Sequence, residues 1–143
     1  MDHLPPTRLD ALYDDPVFLR AILDASADLI ALLAVDGSIL LANQHAAAML
    51  GFEEPEEILG MNVLAFVPPE YQRQAEQDMH ETLQTRGKRY FEYPVLRRDG
   101  DMIYAAISTS ILETSPGRGP YFLILARDIS RQKLLEKANQ ALL

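Results

Sequence analysis

The sequence of 143 residues contains no cysteine, and this absence removes several chemistries at once. Disulfides, thiolate metal sites, cysteine nucleophiles and covalent adducts between cysteine and flavin are all excluded. The fold must instead rest on an apolar core, and this length is sufficient for one domain. A composition of 48% hydrophobic and 24% charged residues is that of an ordinary globular protein.

Long apolar runs and an excess of positive charge are also missing. The longest apolar run, LIALLAV at residues 29–35, is too short to cross a bilayer, and residues 1–10 lack the pattern of a secretory signal. We therefore expect a cytoplasmic protein with no direct membrane contact. The net charge of −8 predicts no binding to nucleic acid, because phosphate backbones require a basic face. The short basic stretch at residues 86–89 is interpreted as the charged end of a helix.

Turn and cap signals divide the first half of the chain. Asp15-Pro16 predicts the start of an amphipathic helix, and Asp36-Gly37 predicts a tight hairpin between two short strands. Asn43 is placed to cap a short helix that Gly51 closes. Two further helical turns are predicted before the pair of prolines that ends at residue 69.

The second half is predicted to contain one long helix and three strands. The helix covers residues 70–86, with its outer, wet side at residue 78 and its inner side formed by Tyr71, Ala75, Met79 and Leu83. Asp99-Gly100 predicts a second hairpin, and the apolar run over residues 120–129 predicts a central strand that is buried on both faces. The fold class is therefore α+β, a five-stranded antiparallel sheet with helices on one face.

Four segments together resemble the PAS domain family. DGSILLANQHAAAMLGF (36–52) resembles its hairpin, Asn-capped helix and closing Gly-aromatic pair, and EEILGMNVLAFVPPE (56–70) resembles the element that follows. RRDGDMIYAAIS (97–108) is similar to its Asp-Gly hairpin, and ARDISRQK (126–133) to the Asp-Ile-Thr motif that closes the domain, with Ser130 in place of the threonine. The segments follow one another at the spacing of the family, and the resemblance covers about residues 29–133.

The resemblance implies a non-catalytic sensory and dimerisation module within a larger signalling protein. In such proteins the module lies upstream of a histidine kinase, a diguanylate cyclase or a transcription regulator, and the signal leaves through a helix after the last strand. It implies an N-terminal lead and cap helix over 1–28, a PAS domain over 29–129 and a signalling helix beginning at 130–143. Asp128 and Arg131 occupy the positions of a charge pair that ties the strand to this helix.

Two apolar stripes indicate a homodimer. The C-terminal helix carries the start of a coiled-coil seam, formed by Leu135, Ala138 and Leu142. The N-terminal helix carries an apolar stripe that covers either its own sheet or a partner's. This stripe consists of Phe18, Leu19, Ile22 and Leu23. The outer face of the sheet is too apolar to be left bare, with Tyr104, Ala106, Ser108, Tyr121, Leu123 and Leu125. A symmetric dimer would cover it and align the C-terminal helices. The alternative is a C-terminal helix that frays in solvent.

A cavity between the sheet and the long helix is expected to hold a small apolar ligand. Its predicted lining is Phe52, Val63, Phe66, Met79, Leu83, Phe91, Tyr93, Ile107 and Ile124, with polar contacts from Asn43, Tyr71 and Thr109. An apolar lining is also that of an ordinary filled core, so a protein-interaction scaffold without ligand is the alternative hypothesis.

No convergent catalytic or metal-binding set is present in the sequence. It has no Gly-x-Ser-x-Gly elbow, no glycine-rich phosphate loop and no HExxH helix. Haem bound through His80 is a second alternative, since some PAS domains use a histidine on the long helix, but a surface histidine is the better interpretation. Non-covalent flavin is not excluded, and the cofactor is left open.

Overall fold

A five-stranded antiparallel sheet forms the centre of the structure, a computed structural model that describes residues 11–114 and 117–142. The strands are β1 (Leu29–Leu33), β2 (Ile39–Ala42), β3 (Arg89–Leu96), β4 (Met102–Leu112) and β5 (Tyr121–Asp128). The helices are α1 (Pro16–Asp24), α2 (Gln44–Leu50), α3 (Pro69–Thr85) and α4 (Ser130–Ala141), with 3₁₀ turns at Pro55–Ile58 and Val63–Phe66. The predicted N-terminal lead at residues 1–10, two residues of the loop before β5 and Leu143 lie outside the described residues.

The strand order is β2-β1-β5-β4-β3, so the α+β prediction is confirmed and β5 is the central strand. The inner side chains of β5, Phe122 and Ala126, are buried. Its outer side chains are only partly covered, so the prediction of a strand buried on both faces holds for the inner face alone. The helices and 3₁₀ turns between β2 and β3 pack against the inner face, where the core lies.

Both Asp-Gly hairpins form where the sequence predicts them. Gly37 and Gly100 have φ angles of 94° and 91°, a backbone region that glycine adopts without strain. At Gly37 space is also short, because an added Cβ would lie 2.8 Å from Oδ1 of Asn62. The side chain of Asn62 donates to the carbonyl oxygen of Asp36 at 2.8 Å and so connects the turn to the second 3₁₀ turn.

Asn43 caps α2 as predicted, and it does more than cap. Its side chain is fully buried, and its Oδ1 accepts from the backbone N–H groups of Ala46 and Ile30, both at 3.0 Å. Its Nδ2 donates to the carbonyl oxygens of Leu23 at 2.8 Å and Asp28 at 3.0 Å. One amide therefore joins α1, the start of β1 and α2.

The inward face of α3 differs from the prediction. Ala75, Asp78 and Thr82 are buried, whereas Met79 is only partly buried and Tyr71 is 37% exposed. The assignment of residue 78 to the wet side is therefore wrong. Asp78 is accommodated because Gln74 Nε2 donates to its Oδ1 at 3.1 Å, and a carboxylate with a hydrogen-bond partner can lie near the core.

The two terminal helices leave their apolar residues exposed. No residue of α1 is buried, and Ile22 is 53% exposed, while Phe18 and Leu19 are each 39% exposed. α1 packs against α2 rather than across the outer face of the sheet. α4 likewise has no buried residue. The α1 stripe therefore does not cover the sheet of its own protomer, which was one of the two possibilities.

Candidate functional site

Two small cavities lie between the inner face of the sheet and the elements that cover it. One has a volume of about 80 Å³ and lies against β1, α2 and the first 3₁₀ turn. The other has a volume of about 90 Å³ and lies beneath α3. The two are neighbours, because both are lined by Val63, Val67, Tyr93, Ile107 and Ile124.

Most of the predicted lining residues face these cavities. The structure brings together Val63, Phe66, Met79, Phe91, Tyr93, Ile107, Thr109 and Ile124. It does not place Asn43, Phe52, Tyr71 or Leu83 in either wall. The positions that sequence reasoning missed are mainly small or aliphatic, including Leu33, Val67 and Val95.

The predicted residues that are absent from the walls have other contacts. All the polar atoms of Asn43 are taken by backbone groups, so this side chain cannot bind a ligand. Phe52 packs edge-on against Phe66, with ring centroids 6.0 Å apart. Tyr71 lies near the surface, and the edge of its ring meets Tyr93 at a centroid distance of 6.3 Å. Leu83 packs on the outside of the core.

Three polar side chains line the cavities among otherwise apolar walls. They are Asp78 on α3, Tyr93 on β3 and Thr109 on β4. The Tyr93 hydroxyl is buried and has no hydrogen-bond partner among the residues that the structure describes. Asp78 could have been found from the sequence, since it lies three residues after Ala75 and four before Thr82, which is the spacing of one helix face.

A second candidate site is the junction between β5 and α4. Asp128 Oδ1 accepts from the backbone N–H of Ser130 at 2.9 Å, and Ser130 Oγ accepts from the backbone N–H of Tyr104 on β4 at 2.9 Å. The N–H of Ile129 donates to the carbonyl oxygen of Tyr104 at 2.8 Å. The hydroxyl of Ser130 therefore joins the start of α4 to the neighbouring strand.

The charge pair expected between Asp128 and Arg131 is not formed among the residues that the structure describes. Instead, the carboxylate of Asp128 accepts from the backbone at the start of the helix. The ion pairs of the junction involve neighbouring residues. Arg127 Nε lies 3.0 Å from Oδ1 of Asp28, and Lys133 Nζ lies 2.7 Å from Oε1 of Glu92 on β3. Because of these contacts, the junction is connected to β1, β3 and β4.

Lys133 connects α4 to the outer face of the sheet. Its Nζ also lies 5.7 Å from the ring centroid of Tyr104. The hydrogen bond from Lys133, followed by that from Tyr90, lowers the pKa of Glu92 from its ordinary value. The hydrogen bond with Glu92 raises the pKa of Lys133. Because the folded-state pKa of Glu92 is lowered, this pair stabilises above the carboxyl's unfolded pKa, and its contribution is lost as the pH falls through the folded-state pKa.

Replacing Lys133 with methionine is expected to raise the pKa of Glu92 back toward its ordinary value, because its strongest hydrogen-bond donor is then absent. A titration of the Glu92 carboxyl carbon by ¹³C NMR measures this. The matched control is Lys137→Met, one turn further along α4, which should leave the Glu92 pKa in place. An unchanged pKa in Lys133→Met would contradict the contact.

The outer face of the sheet carries the apolar surface that the sequence predicts. Tyr104 is 38% exposed, and Ala106, Ser108, Tyr121, Leu123 and Leu125 are partly exposed. Register places Leu125 opposite both Ile30 and Ser108, so these residues form one continuous surface across three strands.

The histidines and acidic residues form no metal site in the part of the chain that is described, residues 11–114 and 117–142. His80 is exposed on α3 and lies in neither cavity wall. This position does not support haem ligation through His80. In the same described residues, no helix is long and apolar enough to span a membrane.

The chain belongs to the PAS family. A central antiparallel sheet, a capped helix, two 3₁₀ turns and a long helix over the inner face define the fold, and the family described as PAS fold matches residues 18–129. The expectation from the sequence motifs is thereby confirmed.

Relatives of this chain occur in signalling proteins. The chain is 26% identical over 125 residues to the probable diguanylate cyclase DgcE of Escherichia coli strain K12, a match that covers 87% of this chain and 11% of that protein. The PAS domain of an HTR-like protein from Haloarcula marismortui superposes with a TM-score of 0.70 at 26% identity, covering 85% of this chain and 98% of that one. A PAS domain of a two-component sensor histidine kinase superposes at 0.66 with 17% identity, covering 78% and 94%, which shows a common fold. This chain is therefore a PAS sensor domain.

Proposed function

We propose that this PAS domain is the sensing and dimerising input of a longer signalling protein, and that the domain itself is non-catalytic. A small molecule held in the core cavities, or a partner bound at the outer sheet face, changes the contacts of the junction between β5 and α4. The helix α4 then passes this change to an effector of the histidine kinase, diguanylate cyclase or transcription regulator type. The match to a small part of a probable diguanylate cyclase supports an input role.

The observation that carries this proposal is the set of contacts at the junction. The start of α4 contacts two strands whose inner side chains also line the cavities, namely β3 through Glu92 and β4 through Tyr104. A displacement of either strand by a ligand therefore acts on hydrogen bonds that hold the helix. Asp128 takes part by accepting from Ser130, and Arg131 lies in the same first turn of α4, where it lines a surface groove with Gln132 and Leu135. Such a junction can shift between two arrangements.

A native mass spectrum of the protein as purified from cells tests the sensor part of the proposal. A dimer with an added mass on each protomer is expected, and that mass identifies the ligand class. A dimer without added mass would favour the interaction-scaffold hypothesis. A bare monomer would contradict both the dimer and the sensor.

The dimer proposal rests on the exposed apolar surfaces of the outer sheet face, α1 and α4. Phe18, Leu19 and Ile22 would pack across the two-fold axis with the sheet, and Leu135, Ala138 and Leu142 would form the seam of a parallel coiled coil. Leu135 is 59% and Leu142 is 85% exposed in the protomer, so both are available for such a seam. Leu23 is partly covered within the protomer.

Leu125→Glu is expected to weaken the dimer at least about 100-fold, since a two-fold axis places two new carboxylates, one from each protomer, in the apolar interface. Analytical ultracentrifugation over a range of concentrations measures the dissociation constant. Val35→Glu is the matched control, because Val35 is 50% exposed but lies in the hairpin turn rather than on the outer sheet face. Equal dissociation constants for the two variants would show that the outer face is not the interface.

A further inference from the structure

The Tyr93 hydroxyl is the unexplained polar group of the core. It is buried without a hydrogen-bond partner in the described ranges 11–114 and 117–142, although its ring contacts Tyr71 and Phe91 in ordinary aromatic geometry. A buried hydroxyl without a partner is unfavourable, and most buried polar atoms in proteins have one. The hydroxyl can both donate and accept a hydrogen bond, and its proton stays unused unless an acceptor lies beside it.

The volume next to Tyr93 is suited to a small molecule rather than to a large cofactor. Tyr93 lines both cavities, whose volumes are about 80 Å³ and about 90 Å³. An apolar cavity of about 150 Å³ binds benzene, so the two cavities together match a molecule of roughly six to eight non-hydrogen atoms. Such a molecule would extend along Tyr93 from one cavity into the other.

The charges around the cavities exclude an anion. Among the described residues, no lysine, arginine or histidine lines either cavity. The one ionisable carboxylate in the walls, Asp78, is 7% exposed and has the uncharged Gln74 as its hydrogen-bond partner. An anionic ligand would lose its hydration without gaining a cation from the wall residues.

We propose that the core cavities bind an uncharged, mostly apolar molecule of roughly six to eight non-hydrogen atoms that carries one hydrogen-bond acceptor, which accepts from the Tyr93 hydroxyl. A short ketone, ether or ester has this chemistry. The inference rests on the proposed sensor function and specifies its ligand. It predicts discrimination between molecules of one shape that differ only in the acceptor or in charge.

Three probes of matched size test the proposal: 2-hexanone, 2-methyl-1-hexene and hexanoate. The alkene replaces the carbonyl oxygen of the ketone with a methylene group, and hexanoate adds a negative charge. Binding to the whole 143-residue chain is followed at pH 7 by NMR of the methyl groups of Ile107, Ile124 and Met79, which line the cavities. We expect 2-hexanone to bind about tenfold more tightly than the alkene, the factor of one ordinary hydrogen bond, and hexanoate to bind more weakly than either.

The variant Tyr93→Phe removes the hydroxyl and keeps the ring. Its affinity for 2-hexanone is expected to fall about tenfold, to the level of the alkene, while its affinity for the alkene stays the same. Tyr90→Phe is the matched control on the same strand, because Tyr90 is 61% exposed and lies on the outer face. It should retain the preference for the ketone.

The proposal is overturned if hexanoate binds best, if Tyr93→Phe keeps the ketone preference, or if no probe shifts the cavity methyl groups. The last result would mean that Tyr93 is satisfied by water or that the core stays closed. The sensor function has its own test in the native mass spectrum. An added mass together with a failure of these probes would refute the ligand class alone, whereas a bare protomer that binds no probe would refute both.

Discussion

Asn43→Ala is expected to lower the free energy of unfolding by about 3–5 kcal/mol. The loss of a helix N-cap costs about 1 kcal/mol. The remaining ~2–4 kcal/mol comes from three part-buried backbone groups that lose their partner, the N–H of Ile30 and the carbonyl oxygens of Leu23 and Asp28, each at about 1 kcal/mol, the low end of the range for an unsatisfied group. Urea unfolding followed by circular dichroism measures the difference.

Asn62→Ala is the matched control for Asn43. Asn62 also caps a helical turn, accepting from the N–H of Leu64 at 3.0 Å and donating to the carbonyl oxygen of Asp36, but it is exposed. Water can replace its hydrogen bonds, so the expected loss is about 1 kcal/mol. Equal losses in the two variants would mean that burial of the Asn43 network contributes nothing beyond the cap.

Phe122→Ala is expected to lower the free energy of unfolding by about 3–5 kcal/mol, because it leaves a cavity in the core beside the first residues of the central strand. Phe122 is 1% exposed and lies between Leu33 of β1 and Ile111 of β4 in the register of the sheet. Neighbouring strands hold these residues in place, so the core cannot collapse into the space. Thermal or urea unfolding at several protein concentrations gives the loss, which should be the same at each.

Leu123→Ala is the matched substitution on the opposite face of the same strand. Leu123 is only partly exposed in the protomer, and the proposed dimer would bury it further. The variant should cost less than Phe122→Ala, and its loss should depend on protein concentration because it acts on association. A loss from Leu123→Ala that equals that of Phe122→Ala and does not vary with concentration would show that the outer face has no partner.

Local signals predicted the parts of the fold that local chemistry determines. Asp36-Gly37 and Asp99-Gly100 specify turns through the backbone freedom of glycine, and Asn43 specifies a helix start through its side-chain acceptor. The central position of β5 followed from its apolar run. These features need no knowledge of distant residues.

Long-range features were predicted less well. Apolar periodicity placed Asp78 of α3 outside, but it is buried on the same face as Ala75 and Thr82, where Gln74 donates to its carboxylate. The cavity wall was predicted in large part, yet Tyr71, in the first turn of α3, is 37% exposed and lines neither cavity. Asp128 accepts from a backbone N–H and does not pair with Arg131. This choice depends on the angle at which α4 leaves the sheet, and no local sequence pattern encodes that angle.

The pairing of β1 with β5 determines how the domain can be placed in a longer polypeptide. Leu29, the first residue of β1, lies opposite Ala126 near the end of β5, and Arg127 contacts Asp28 at 3.0 Å. The chain therefore enters and leaves the sheet at the same end of two paired strands. As a result, α1, which precedes β1, and α4, which follows β5, are attached to the sheet at neighbouring positions. A displacement of α1 can therefore reach α4 through a few residues of β1 and β5 without passing through the core. Domains with this arrangement can follow one another in a single polypeptide.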